Sequence, residues 1–216
     1  MTLTVHYRPS IGLIYDCEIK RAILGKTDTM LPGIEYCDGW DDFQGMGISV
    51  IGAYDYEEEA YRVFCNDNMD EFQLLIDHHS DDGGMVIGYN NYKFDDTLVQ
   101  AHGIGLPDHT YDLLVEIWRA AGLGPEFVRE THMGFSLDDM IKANFPEYGK
   151  TGDGRMAPVW WQQGKVGKVI DYCLSDVWLT KMLLDRVING NPLINPKNGE
   201  LLYVKSPDAY LEDDDV

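Results

Sequence analysis

Apolar and polar positions fall along this chain in short blocks whose period changes from two to nearly four. Ile11 to Cys17 is a mostly apolar run interrupted by Gly12, the pattern of a central strand. Residues 25–45 are rich in Gly, Asp and Thr and predict an irregular insertion. β-Branched and aromatic runs at Met46–Tyr54 and Tyr61–Cys65 flank the acidic turn Asp55-Tyr56-Glu57-Glu58-Glu59, which predicts a hairpin. Asn68 then caps a helix carrying Phe72, Leu75 and Ile76 at helical spacing. Met85–Tyr89 is the next strand, and Asp95–His102 a helix ended by Gly103.

Tyr111–Leu114 reads either as a strand or as the lead into a helix through Ala121. Ser136 caps a short helix, and residues 148–158, Gly-rich and carrying Lys150 and Arg155, predict a mobile loop. Lys165–Val187 is the longest periodic helix, with Val166, Val169, Ile170, Cys173, Val177, Thr180 and Leu184 on its buried face. Asn198-Gly199 between Leu193-Ile194 and Leu201–Val204 signals a closing hairpin. Three early antiparallel strands, followed by strands alternating with helices, predict an α/β fold in which helices flank a mixed sheet.

Composition narrows this picture. The 216 residues, 44% hydrophobic, suffice for a sizeable core, and the absence of repeats or a linker favours one domain over residues 1–207. Asp208 to Val216, ending Glu212-Asp213-Asp214-Asp215-Val216, is expected to be an acidic, disordered tail. No run of about 18 apolar residues exists and the N-terminus lacks a signal-peptide core, so a soluble, cytoplasmic protein without membrane contact is expected. Cys17, Cys37, Cys65 and Cys173 show neither a Cys-x-x-Cys pair nor a zinc spacing with histidine. The net charge of −20 repels polyanions, unless a cation neutralises part of it.

The candidate chemistry lies in three carboxylate motifs. Asp16 and Glu18 are two apart on a strand and face the same side, either as an exposed acid pair or as a cation site. Tyr89-Asn90, three residues, then Phe94-Asp95 spans a strand-to-helix junction, where α/β proteins present chemistry. Asp96 competes with Asp95 but also suits the first turn of the helix. Tyr172 and Asp176 are one helical turn apart at the edge of the buried face; core packing and a solvated acid are their plain alternatives.

Taken together, Asp16-x-Glu18, Tyr89-Asn90-x-x-x-Phe94-Asp95 and Tyr172-x-x-x-Asp176 resemble the DEDD exonuclease superfamily, in its tyrosine branch. The middle motif is similar to that of family B DNA polymerase proofreading domains and related stand-alone nucleases. The resemblance runs over roughly residues 11–188 and implies a ribonuclease H-like fold. It further implies a metal-dependent 3′→5′ exonuclease releasing nucleoside 5′-monophosphates, with single-stranded DNA favoured, and two cations, Mg²⁺ or Mn²⁺. By resemblance Asp16, Glu18, Asp95 and Asp176 hold the metals, and Tyr172 orients the attacking water. Ile19 stands where the family often has Thr, a departure that bears on substrate handling.

Asn90 and Phe94 are expected to position substrate, and Lys150, Arg155, Lys165 and Lys168 to contact phosphates. Trp160 and Trp161 read as base-stacking or as packing residues. The expected partner is nucleic acid with a free 3′ end, and any polymerase or helicase partner would be a separate chain. A structure-specific endonuclease on the same fold, and a catalytically silent nucleic-acid-binding or scaffolding module, are the rival readings.

Overall fold

A computed structural model describes residues 10–149 and 152–211 of the chain. In chain order the elements begin β1 (Ile11–Ile19), α1 (Phe43–Met46), β2 (Ile48–Asp55), β3 (Ala60–Phe64), α2 (Met69–Asp81) and β4 (Met85–Gly88). Next come α3 (Asp95–Ala101), β5 (Thr110–Asp112), α4 (Leu113–Ala120), α5 (Arg129–His132) and α6 (Leu137–Asn144). The chain closes with α7 (Ala157–Gln162), α8 (Val166–Ile188), β6 (Leu193–Ile194), β7 (Leu201–Leu202) and α9 (Asp208–Leu211). The ambiguous segment at Tyr111 is thus both things in turn, strand β5 and then helix α4.

Five strands form one mixed sheet in the order β3-β2-β1-β4-β5. β2 pairs antiparallel with β1 and β3, whereas β4 runs parallel to β1 and β5. The long apolar runs of β1 and β2 are what a strand buried on both faces requires. Alternation divides their side chains between two apolar layers. Leu13, Tyr15, Cys17 and Ile19 pack with Phe72 and Ile76 of α2 and Leu98 and Val99 of α3. Ile14 faces the other layer, built from α4, α6 and the C-terminal half of α8. The result is a helix–sheet–helix sandwich with β1 at its centre. Among the described residues, no helix is long and apolar enough to cross a membrane.

Two details of the sheet create the site. β1 outruns β4: their pairing ends at Ile14 opposite Ile87, and β4 stops at Gly88. Among the described residues, no strand lies beside the edge of β1 from Tyr15 onward on that side, and a notch opens at the carboxyl ends of the parallel strands. On the other edge the β1–β2 register shifts after Glu18, a bulge that re-aims side chains.

Several local expectations need correction. Asn68 precedes α2 but does not cap it with its side chain; its carboxamide oxygen accepts the Cys65 N–H (2.7 Å) and closes the turn after β3 instead. The described part of the expected mobile loop contains a 3₁₀ turn at Gly154–Met156 that leads into α7, with Pro158 in its first turn. Asp208–Leu211 is helical rather than the start of a disordered tail. Tyr210 packs edge-on against Tyr111 at 6.3 Å, and its hydroxyl accepts from Arg119 at 3.1 Å, so one aromatic ring anchors an acidic stretch. The rest of the tail lies outside the described residues.

Candidate active site

The three carboxylate motifs meet at the notch. Asp16 and Glu18 arrive from β1 on the α8 side, as their spacing predicts. Tyr172 and Asp176 arrive from α8, which packs directly against β1 and β2. A side chain at Gly52 on β2 would put its Cβ 3.0 Å from Cys173 Sγ and 3.2 Å from Leu174 Cδ2, so any other residue would press α8 away from the sheet by a few tenths of an ångström. The Cys173 thiol donates to the backbone carbonyl of Asp16 (3.3 Å), tying α8 to β1 at the site. Tyr172 packs with Val50, Ala157 and Val169 and meets the Trp160 ring edge-on at 6.2 Å. Residues 152–154 cover its outer edge; a Cβ on Gly154 would lie 3.3 Å from the Tyr172 hydroxyl.

Asp95 reaches the notch at the head of α3, from the opposite layer. Its Oδ1 accepts the Cys17 N–H at 2.9 Å, a donor that a longer β4 would have taken. Burial raises its pKa well above the usual carboxylate range, the neighbouring Asp16 charge raises it further, and the Cys17 N–H opposes both. Asp96 turns away. It accepts from the Tyr15 hydroxyl, from Asn91 Nδ2 at 3.1 Å to both oxygens, and from the Thr110 hydroxyl at 2.9 Å. With three donors engaged, Asp96 holds β1, α3 and β5 together and is not part of the notch.

The loop between β4 and α3 is set by a residue that the sequence reading overlooked. Asp112 Oδ1 accepts the N–H groups of Asn90 (2.9 Å), Leu114 (2.9 Å) and Val115 (3.4 Å), while Oδ2 accepts that of Tyr92 (3.2 Å). It caps α4 and, with the same carboxylate, holds Asn90 in the left-handed conformation at φ 67°. Burial pushes its pKa up to about 6 against the pull of those four amides. An acid immediately before the apolar run of α4 was the signal available in the sequence.

One cavity of about 660 Å³ is lined by Asp16, Glu18, Asp95, Tyr172 and Asp176 together. Asn90, Phe94 and Arg155 line it as well, so eight of the predicted site residues share one space. A second cavity of about 850 Å³ adjoins it, sharing Asp16, Trp40, Tyr89, Asn90, Phe94 and Asp176. Its far wall is aromatic, from Trp118, Phe127 and Phe135, with Lys93 at its edge. Trp40, 62% exposed in the Gly- and Asp-rich insertion, lines both cavities and was not singled out in the sequence.

Among the described residues, the expected basic rim is largely missing. Lys165 Nζ donates to Gln163 (2.7 Å) and Lys168 Nζ sits over the Trp160 ring at 3.9 Å; neither lines either cavity. Lys150 lies outside the described residues. Arg155 lines the first cavity but is paired with Asp153, Nη2 to Oδ2 at 2.6 Å. Trp160 and Trp161 are committed to packing beside Tyr172. Among the described residues, six acids and one arginine line the first cavity: Asp16, Glu18, Asp28, Asp95, Asp153 and Asp176 against Arg155. Such a space repels phosphate by itself and attracts cations.

The donor set fits a hard divalent cation in kind. The cavity offers carboxylates; Cys17 also lines it, and burial and the Asp95 charge hold its thiol protonated. The mutual pressure between Asp16 and Asp95 is what a cation between them would relieve. Among the described residues, no three of these carboxylates bring ligand atoms within 4.8 Å of one another, so their side chains would have to converge on the ion. Compared with protein-family models and with curated proteins, the chain gives no match.

Proposed function

We propose that this protein is a metal-dependent 3′→5′ exonuclease on a ribonuclease H-like fold, acting on single-stranded DNA in preference to other nucleic acid. The observation that carries the reading is the convergence of Asp16, Glu18, Asp95, Tyr172 and Asp176, from β1, α3 and α8, on one cavity. The sheet order, with antiparallel β3-β2-β1 followed by parallel β4 and β5, supports the fold assignment. Asp16, Glu18, Asp95 and Asp176 would hold Mg²⁺ or Mn²⁺. When bound, the cations supply Lewis acidity, making water a better nucleophile and offsetting charge on the phosphate and the leaving oxygen.

The chain's own residues do the rest. Tyr172, packed on one face by Trp160, can accept or donate one hydrogen bond from a fixed position and so orient a water molecule. Phe94 and Trp40, at the junction of the two cavities, offer π faces to terminal bases. Asn90, fixed through Asp112, presents its carboxamide at the same junction. The excess of acids makes substrate binding depend on metal as well as catalysis, because phosphate is excluded from an uncompensated site.

The test uses 5′-labelled DNA and RNA oligonucleotides with Mg²⁺, Mn²⁺ or chelator. A ladder shortening stepwise from the 3′ end, absent with chelator, is expected on single-stranded DNA. Asp16→Asn should abolish it, since a neutral amide cannot balance the cations. Undiminished cleavage by that variant, or cleavage in chelator, would sink the assignment; internal cuts instead of a ladder would favour an endonuclease.

A further inference from the structure

We propose that Glu57, His78 and His79 form a transition-metal site, suited to Zn²⁺, that clamps the β2–β3 turn to the end of α2. One ligand atom from each lies within 4.8 Å of the other two, the one such triple among the described residues. The site is remote from the carboxylate cavity. Asp55 pairs with Leu13 and the Tyr56 N–H bonds the Gly12 carbonyl (3.1 Å), both near the start of β1. Leu13 to Glu18 spans about 16 Å of extended strand, and the two sites share no residue.

The donors differ in kind from those of the cavity. Two imidazoles and one carboxylate, with a position left open for water, form a set that zinc accepts readily, whereas Mg²⁺ avoids nitrogen ligands. One ligand is already fixed. His79 is 1% exposed, and its side chain lies against Gly12, where an added Cβ would come within 2.8 Å of His79 Cβ. Its Nε2 sits 3.2 Å from Asp55 Oδ1. Asp55 is itself held by Arg62 (3.0 Å) and by the N–H groups of Glu57 (3.1 Å) and Glu58 (3.3 Å). A carboxylate behind an imidazole orients the ring and increases its strength as a ligand.

The other two donors are exposed and face each other, His78 Nε2 to Glu57 Oε2 at 2.7 Å. They are free to close on an ion that the buried ring holds. His78 and His79 also occupy the last turn of α2, where the carbonyl ends of the helix favour a cation.

The experiment is a calorimetric titration of chelator-stripped full-length protein with ZnCl₂ at neutral pH, alongside thermal melts. One saturable Zn²⁺ site that persists in Asp16→Asn is expected, beside any Zn²⁺ the carboxylate cavity takes up, with a zinc-dependent rise in melting temperature. His78→Ala, a change at an exposed position, should weaken binding on the order of 100-fold, and Glu57→Gln about tenfold or more. Both should remove that site and its share of the thermal rise, while Asp16→Asn should retain it. Absence of saturable binding, unchanged affinity in both His78→Ala and Glu57→Gln, or loss of binding in Asp16→Asn would each overturn the proposal. None of these outcomes depends on nuclease activity.

Discussion

A helix turns about 100° per residue, so adjacent acids at the head of α3 must face different surroundings. Asp95 points into the notch and is supported by backbone N–H groups, that of Cys17 among them, whereas Asp96 is surrounded by hydroxyl and amide donors. The Phe94-Asp95 spacing pointed to the member of the pair that lines the cavity, and Asp96 at the first helical turn has a sufficient structural reason to be acidic. Tyr172 shows the opposite ambiguity, because it both packs and lines the cavity. Removing only its hydroxyl separates the roles. Tyr172→Phe keeps the ring against Trp160 and should leave the melting temperature and metal response near wild type. On the proposed function, its rate of 3′-end shortening should fall by roughly 10²-fold, the scale of general acid–base assistance. Single-turnover rates and melts on the same preparation check this, and a variant that loses stability without a specific loss of rate would make Tyr172 a packing residue.

Among the elements, long periodic segments were legible, and short ones chiefly where a turn or cap signal marked them, as at the β6–β7 hairpin and α6. β1, β2 and α8 announce themselves by nine, eight and 23 residues of consistent pattern. β5 has only three residues and runs straight into α4, so neither periodicity has room to develop. Asp112, at that junction, went unrecognised for the same reason, although it positions the Asn90–Tyr92 loop. Its titration gives a test. The native-state pKa of about 6 lies above the usual carboxylate value of 3.8. Between about pH 6 and pH 4 the native state therefore binds a proton that the unfolded state does not. Stability contributed by this group rises as pH falls through that window, by about 3 kcal/mol at most. In Asp112→Asn this contribution is gone. Denaturant midpoints at pH 7 and pH 4 should show wild type gaining relative to the variant at the lower pH; parallel changes in the two proteins would exclude the assignment.

For the molecule as a whole, charge couples the site to stability. A net charge of −20 opposes compaction, and the fold concentrates part of it in one cavity. The sequence made the carboxylate set legible through its three motifs, but not the acidity of the rim, because Asp28 and Asp153 sit in irregular segments without a period. It also suggested cationic contacts from Lys165 and Lys168, which helix geometry directs to Gln163 and Trp160 instead. Folding without metal must bury Asp95 beside Asp16, at a cost that its raised pKa expresses. Asp95→Asn removes the charge and keeps an oxygen for the Cys17 N–H, so the metal-free variant should melt higher than wild type. Each kcal/mol relieved corresponds to about 2–4 °C in a chain of this size. Wild type should gain about 2.7 kcal/mol when Mn²⁺ is present at a hundred times its dissociation constant. Asp95→Asn should gain clearly less, because one ligand is lost. Zinc must be excluded from these melts, since the proposed histidine site would stabilise both proteins alike. A variant that melts below wild type without metal, or responds equally to Mn²⁺, would show that Asp95 is neither strained by Asp16 nor a ligand.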